Sequence, residues 1–190
     1  FDANTRNLVC VQSDLYRDRF ARAGVPEDMI RVTGSMKYDS LRTDVDPETV
    51  SHVLKSLGLD EGERYWVAGC TWPDEEDICL RIHKHLLEID PALRLVIAPR
   101  HIERAGEVDR IIRRHGFESR RRTGETGSSD AGTIGLLDTI GELACVYARA
   151  EAAFVGRSLA SQGGHNMLEP AALGTPPVFG PRTDNFQAEA

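Results

Sequence analysis

The chain has 190 residues, of which 41% are hydrophobic and 28% charged, and its formal net charge is −7 at pH 7. This apolar content can bury a core and argues against an intrinsically disordered chain. The negative charge argues against a general surface for nucleic acids or anionic membranes but leaves room for a local basic pocket. No run of about 18 apolar residues occurs, so the sequence predicts no transmembrane helix. The sequence shows no signal peptide. Its start at Phe1 instead of Met and its abrupt stop at Ala190 lead us to expect a piece of a longer chain.

Short apolar runs alternate with stretches of helical periodicity along the chain. The predicted strands are residues 8–11, 30–33, 65–68, 93–98, 117, 133–137, 152–155 and 177–179. The predicted helices cover residues 16–23, 46–57, 71–89, 108–112, 143–150 and 168–173. This alternation predicts a Rossmann-like α/β fold, an open parallel sheet with helices on both faces. We find no internal repeat and no long linker, so residues 1–190 are predicted to form one domain.

Local signals predict where several helices begin and which side they bury. Asp46 is an expected N-cap, followed by Pro47 in the first turn, and Gly58 is expected to end the same helix. Thr71 is expected to begin the next helix as its N-cap. The apolar side of that helix is predicted to consist of Ile78, Ile82, Leu86 and Ile89. Glycines and serines over residues 123–133 predict a mobile loop.

In parallel sheets of this kind, ligands bind at the carboxyl ends of the strands. The turn Pro99-Arg100-His101 follows the strand of residues 93–98, and an arginine there offers a planar fork to phosphate or carboxylate. The alternative is an arginine on a solvated turn.

A second turn, Ile140-Gly141-Glu142, opens a helix after the strand of residues 133–137. Its free backbone N–H groups are predicted to meet a ligand. The alternative is an ordinary helix cap with Glu142 in the first turn.

The strongest candidate is the loop of residues 156–170. Its paired glycines, Gly163 and Gly164, let a ligand approach the backbone, and a helix predicted to start near Asn166 aims its N–H groups at the loop. Glu169 in the first turn can accept hydrogen bonds from a ribose diol or a base amine. The alternative is that Asn166 caps the helix and Glu169 complements its dipole.

Other patterns carry weaker signals or none. His83 and His85 lie two apart on a helix and do not share a face, so no metal site is predicted. The basic run of residues 120–122 lacks interleaved aromatics and is predicted to be a solvated face, not a nucleic-acid site. The four cysteines form no CxxC pair, so the sequence supports no zinc or redox motif and favours a reducing, cytosolic setting. The residues alone therefore predict a nucleotide- or phosphate-binding lobe.

Several motifs occur in the order typical of one known family. They are RVTGSMKYD at 31–39, PRH at 99–101, GEL at 141–143, GGHNMLEPAALG at 163–174, FGP at 179–181 and NF at 185–186. With these motifs the chain resembles the 3-deoxy-D-manno-octulosonic acid (Kdo) transferases over nearly its whole length. The resemblance implies the GT-B architecture of two Rossmann-like lobes, with this chain as the C-terminal lobe that binds the donor CMP-Kdo.

The resemblance also implies a reaction and its setting. The family transfers Kdo to a lipid A precursor, lipid IVA, in lipopolysaccharide biosynthesis at the cytoplasmic face of the bacterial inner membrane, without a metal or other cofactor. Its acceptor surface, membrane anchor and general base belong to an N-terminal lobe with no counterpart in this sequence. We therefore expect residues 1–190 alone to be soluble, to bind CMP weakly and to transfer no sugar.

The resemblance assigns site residues through the matching motifs. The implied CMP contacts are Pro99, Arg100, Ile140, Gly141, Glu142, Asn166, Met167, Leu168 and Glu169. The weaker candidates are Ser35, Lys37, Thr71, His101 and Gly164. Two departures affect the early turns, because Trp72-Pro73 stands where many members carry His-Glu and Ser35 where many carry Asn.

Two other functions stay open at this point. The first is a GT-B-like epimerase of UDP-N-acetylglucosamine, because such enzymes also carry a Val-Thr-Gly turn early in this lobe. The second is a nucleotide-binding lobe without catalytic activity.

Overall fold

The computed structural model describes residues 8–39, 41–124, 132–159, 163–183 and 186, arranged in two compact units, residues 1–41 and 42–190. The first unit contains β1 (Val9–Val11), α1 (Asp14–Arg22) and β2 (Ile30–Val32). The strands of the second unit are β3 (Tyr65–Thr71), β4 (Arg94–Pro99), β5 (Glu118–Arg121), β6 (Thr133–Leu136), β7 (Ala152–Val155) and β8 (Pro177–Val178). Its helices are α2 (Pro47–Ser56), α3 (Glu75–Ile89), α4 (Ala105–Arg114), α5 (Leu143–Tyr147) and α6 (Leu168–Ala172).

The first unit is a strand–helix–strand unit. β1 and β2 pair in parallel, with Val9 opposite Ile30, and α1 connects them. The parallel pairing requires such a crossover connection, because a tight turn can join only antiparallel strands.

The second unit is built on a six-stranded sheet in the order β5-β6-β4-β3-β7-β8, in which every pairing is parallel. The chain leaves β3 for β4 on one side and later returns to β7 on the other side of β3. The carboxyl ends of β3 and β7 therefore flank the point where strand order reverses, the usual ligand site of doubly wound sheets. The predicted open parallel sheet is confirmed.

Side chains alternate along β3 between two hydrophobic cores. Tyr65 and Val67 pack in the core formed with α2 and α5, whereas Trp66 and Ala68 pack in the core formed with α3 and α4. Helices therefore cover both faces of the sheet, as predicted. The predicted cap of α2 is also confirmed, since the Asp46 carboxylate accepts a hydrogen bond from the backbone N–H of Thr49 at 2.8 Å.

The predicted start of α3 was wrong, and of its predicted apolar side Leu86 packs against the core whereas Ile82 and Ile89 do not. Thr71 is the last residue of β3, and the helix begins at Glu75. Ile82 and Ile89 are 46% and 82% exposed. The buried residues of the helix are Glu75, Glu76, Cys79, Leu80 and His83. These residues follow helical spacing and form one buried face. A search for apolar residues could not find this face, because three of its five residues carry a carboxylate or an imidazole.

Two smaller expectations also differ from the structure. Phe117 precedes β5 instead of forming a strand. Arg120 is buried, and its Nε donates to the Ser56 carbonyl at 2.9 Å, so the basic run is not a solvated face. Most of the loop predicted over 123–133 lies outside the described residues. In the described part of the chain, no helix is both long and apolar enough to cross a membrane.

Candidate functional site

The candidate site lies at the carboxyl ends of β3, β4 and β7. Glu75, in the first turn of α3, holds the loops after β3 and β7 together. Its carboxylate is fully buried and accepts hydrogen bonds from the backbone N–H groups of Arg157, Ser158 and Leu159 at 2.7, 3.0 and 3.1 Å, and from that of Trp72 at 2.9 Å. The amides that directly follow β7 are therefore satisfied by protein and are not free for a ligand.

Thr71 also faces protein. It is completely buried, and its hydroxyl donates to the Glu76 carboxylate at 2.8 Å, which in turn pairs with Arg104 at 2.8 Å. The Thr71 side chain is therefore removed from the candidate ligand contacts. Its carbonyl has a different role, because it accepts a hydrogen bond from the backbone N–H of Arg100 at 3.1 Å and so fixes the turn after β4.

The end of β3 is crowded by Tyr147, the last residue of α5. A Cβ on Gly69 would overlap with the ring of Tyr147, so only glycine fits. The next residue, Cys70, has a left-handed backbone with φ of 53°. Burial, together with the negative charge of Glu169, raises the pKa of the Cys70 thiol to about 11, although Arg100 opposes the change. The thiol is therefore protonated at neutral pH and unsuited to act as a nucleophile.

Arg100 and Glu169 meet electrostatically at this end of the sheet. Arg100 is exposed directly after β4. The residue Glu169 is exposed overall, yet partial burial of its carboxyl raises its pKa, against the lowering effects of the Asn166 hydrogen bond and of Arg100. The Asn166 side-chain N–H donates to Glu169 Oε1 at 3.4 Å, and its Oδ1 accepts from the backbone N–H of Leu168 at 3.2 Å. One basic and one acidic group are thus available to a ligand here.

The predicted helix start near Asn166 lies two residues further on, at Leu168. Met167 is buried at 3% exposure against Val155 and Phe186, so its side chain holds the loop in place and only its backbone can meet a ligand. Gly164 has φ of 65°, and a Cβ there would lie 2.9 Å from the Arg182 carbonyl oxygen, which explains a glycine at this position.

The turn before α5 is fixed by an ion pair that the sequence did not indicate. Arg122 binds Glu142 through two N–H groups at 2.9 and 3.0 Å, and the Thr139 hydroxyl donates to the same carboxylate. Although burial opposes the change, Thr139 and Arg122 keep the pKa of Glu142 below its usual value. Gly141 has φ of 89° and Ile140 is 82% exposed, so the turn presents backbone and one apolar side chain to solvent.

The other candidates are less accessible or belong to the first unit. Pro99 is buried as the last residue of β4, and His101 stands edge-on to Trp72 with ring centroids 5.4 Å apart. Ser35 and Lys37 belong to the first unit, where the Ser35 hydroxyl accepts from the Lys37 backbone N–H at 3.3 Å.

A cluster that sequence reasoning missed lies between β3 and β7. The Trp72 indole N–H donates to Nε2 of His165 at 3.0 Å, and the Arg157 guanidinium carbon lies 4.9 Å from the centroid of the Trp72 ring. Burial, followed by the electrostatic effect of the neighbouring Arg100, Arg157 and His101 side chains, lowers the pKa of His165 to about 4. His165 is therefore neutral at pH 7. In sequence, Arg157 is marked only by its place directly after a strand and a glycine.

These groups suit a phosphorylated ligand. Arg100 and Arg157 supply positive charge, Glu169 supplies a hydrogen-bond acceptor, and the two turns supply exposed backbone. Within the described residues, no group of three His, Cys, Asp or Glu side chains is placed to hold a metal ion.

Comparisons with known proteins identify relatives of the whole chain. The chain matches no family model. It is 35% identical over 181 residues to the 3-deoxy-D-manno-octulosonic acid transferase of Haemophilus influenzae, which covers 95% of this chain and 42% of that protein. A transferase of the same name from Chlamydia muridarum is 28% identical over 92% of this chain. The chain spans 39–42% of the length of these curated relatives and of a third transferase of the same name, from Chlamydophila psittaci.

Two solved structures are similar. The crystal structure of the C-terminal CMP-Kdo binding domain of WaaA from Acinetobacter baumannii is 33% identical and superposes with a TM-score of 0.64 over 74% of this chain and 73% of that domain. Anabaena Alr3699/HepE in complex with UDP and glucose superposes with a TM-score of 0.50 over 92% of this chain and 45% of that one, and at 15% identity this likeness bears on the fold alone.

The doubly wound sheet, with its candidate site at the strand-order reversal, defines a lobe of a GT-B glycosyltransferase. The match to the WaaA domain covers about three quarters of each chain, and its 33% identity is about twice the 15% found for the match that bears on the fold alone. The chain belongs to the 3-deoxy-D-manno-octulosonic acid transferase family.

Proposed function

We propose that residues 42–190 bind CMP-Kdo and that the protein transfers Kdo from it to a lipid A precursor. The observation that carries the proposal is the position of Arg100 directly after β4 and of Glu169 in α6, within electrostatic range of each other, at the end of the sheet where doubly wound folds bind nucleotides. The similarity to a domain described as CMP-Kdo binding supports the choice of nucleotide.

In this proposal each group has a defined task. Arg100 binds the CMP phosphate and stabilises the negative charge that grows on it as the bond to the sugar breaks. Glu169 accepts hydrogen bonds from the ribose hydroxyls. The 140–142 turn, held by Arg122, positions its backbone against the nucleotide. We propose the remaining predicted contacts, Pro99 and Asn166 to Leu168, as the walls of the same crevice.

The rest of the reaction is assigned to the longer protein. We propose that a separate N-terminal lobe supplies the general base, the lipid A acceptor surface and attachment to the inner membrane, and that the reaction takes place on the cytoplasmic side. We include no metal or other cofactor, because Arg100 already offers positive charge to the leaving phosphate. CMP affinity is therefore expected to be unchanged by a chelator.

The test is a calorimetric titration of the 190-residue chain with CMP and with UDP. We expect CMP to bind more tightly, and Arg100→Ala to abolish the binding. Arg149→Ala is the matched control, because Arg149 is exposed just before β7, at the amino end of the sheet. Tighter binding of UDP would favour an epimerase, and unchanged CMP affinity in Arg100→Ala would favour a lobe without the proposed transferase site.

A further inference from the structure

Arg157 is an arginine in an unusual backbone conformation. Its φ is 60°, a left-handed value that non-glycine residues seldom adopt. The conformation is held by the 2.7 Å hydrogen bond from its N–H to the buried Glu75 carboxylate. Because such backbone strain is retained only where the surroundings enforce it, the side chain leaves the loop in a fixed direction.

The direction taken by the side chain is set by Trp72. The guanidinium lies over the indole at 4.9 Å, and the indole is itself oriented by its hydrogen bond to His165. The Arg157 Nε is buried and has no hydrogen-bond partner among the described residues, and no described carboxylate forms an ion pair with this arginine. A held guanidinium with unused N–H groups is a binding group for an anion.

The charges around Arg157 agree with an anion site. Arg100 and Arg157 both lower the pKa of His165, so the two guanidinium groups lie within electrostatic range of one ring. The carboxylate of Glu75 is occupied by four backbone N–H groups, and Glu169 is the acidic group influenced by Arg100. Two cations therefore serve the same end of the sheet, and a nucleoside monophosphate offers only one phosphate.

The donor proposed above carries a second anion next to the first. In Kdo the carboxylate is bonded directly to the anomeric carbon, so in CMP-Kdo the carboxylate and the phosphate are attached to the same atom. We propose that Arg157 binds the carboxylate of the donor sugar, while Arg100 binds the phosphate. This inference rests on the proposed function, and it makes Arg157 a residue that selects acidic over neutral donor sugars.

The experiment compares CMP with CMP-Kdo in calorimetric titrations of the same chain. In the wild type, CMP-Kdo is expected to bind more tightly than CMP. Arg157→Gln is expected to weaken CMP-Kdo at least about ten-fold and CMP no more than about two-fold, since one charged hydrogen-bonding partner is lost. Arg157→Gly is a second variant, because glycine suits the left-handed backbone. Arg149→Gln applies the same charge change at the amino end of the sheet and is expected to alter neither affinity.

The outcomes separate the two proposals. If the wild-type chain binds neither compound, the proposed function fails and the inference fails with it. If it binds both but Arg157→Gln and Arg157→Gly weaken them equally, or weaken neither, the carboxylate assignment is overturned while the nucleotide site stands. Equal wild-type affinity for CMP and CMP-Kdo overturns the assignment as well.

Discussion

Replacement of Glu75 by glutamine tests how the candidate site is held together. In the native protein one oxygen accepts from the N–H groups of Trp72 and Arg157, and the other accepts from those of Ser158 and Leu159. Glutamine keeps one oxygen and turns an NH₂ group toward the other two donors. A buried donor left without an acceptor costs about 1–3 kcal/mol, so two of them should lower the free energy of unfolding by about 2–6 kcal/mol.

Urea unfolding and thermal unfolding measure this cost. For a chain of this size, a loss of about 3 kcal/mol corresponds to a fall of about 6–12 °C in Tm. The control is Glu88→Gln on the same helix, because the Glu88 side chain is 75% exposed and lies 3.8 Å from His85. We expect the control to change stability by no more than about 0.5 kcal/mol. If Glu75→Gln costs no more than Glu88→Gln, the carboxylate does not organise the loop after β7.

Two other perturbations test the interior. Burial, with a smaller contribution from Arg94, lowers the pKa of His83 from its ordinary value of 6.5 to about 4. Between these two pH values the unfolded chain binds more protons than the folded one, so the free energy of unfolding should fall as the pH is lowered from 6.5 to 4. Urea titrations over this range should show a smaller fall for His83→Gln than for the wild type. An equal fall in both proteins contradicts the assignment. Gly69→Ala should lower the free energy of unfolding in urea by about 1–3 kcal/mol, because the added methyl group meets Tyr147. The control is Gly106→Ala, which should cost nothing because its Cβ would have its nearest neighbour at 3.8 Å. Similar stability of the two variants contradicts the crowding at Gly69.

Much of the sheet could be predicted because its strands are short apolar runs separated by capped helices. The run before Pro99 reads as a strand covered on both faces, and Asp46 with Pro47 marks a helix start that the structure confirms. The loops after these strands could be located for the same reason, since a parallel sheet brings all its carboxyl ends to one edge.

The supports of the site could not be predicted in this way. Glu75 resembles an ordinary acidic residue in a first helical turn until its four donors are seen, three of which come from a loop more than 80 positions away. Arg122 resembles part of a solvated basic run, yet it holds Glu142. A pattern along the chain reports local periodicity, whereas these pairings depend on which strands become neighbours.

The long reach of Glu75 also sets an order of events in folding. Its partners Arg157, Ser158 and Leu159 lie 82 to 84 positions further along the chain, so these hydrogen bonds form only after β7 has docked beside β3. Contacts of such separation are made late, because a long stretch of chain must first be ordered. During refolding from denaturant, helical signal should therefore return before the crevice becomes competent to take up a nucleotide.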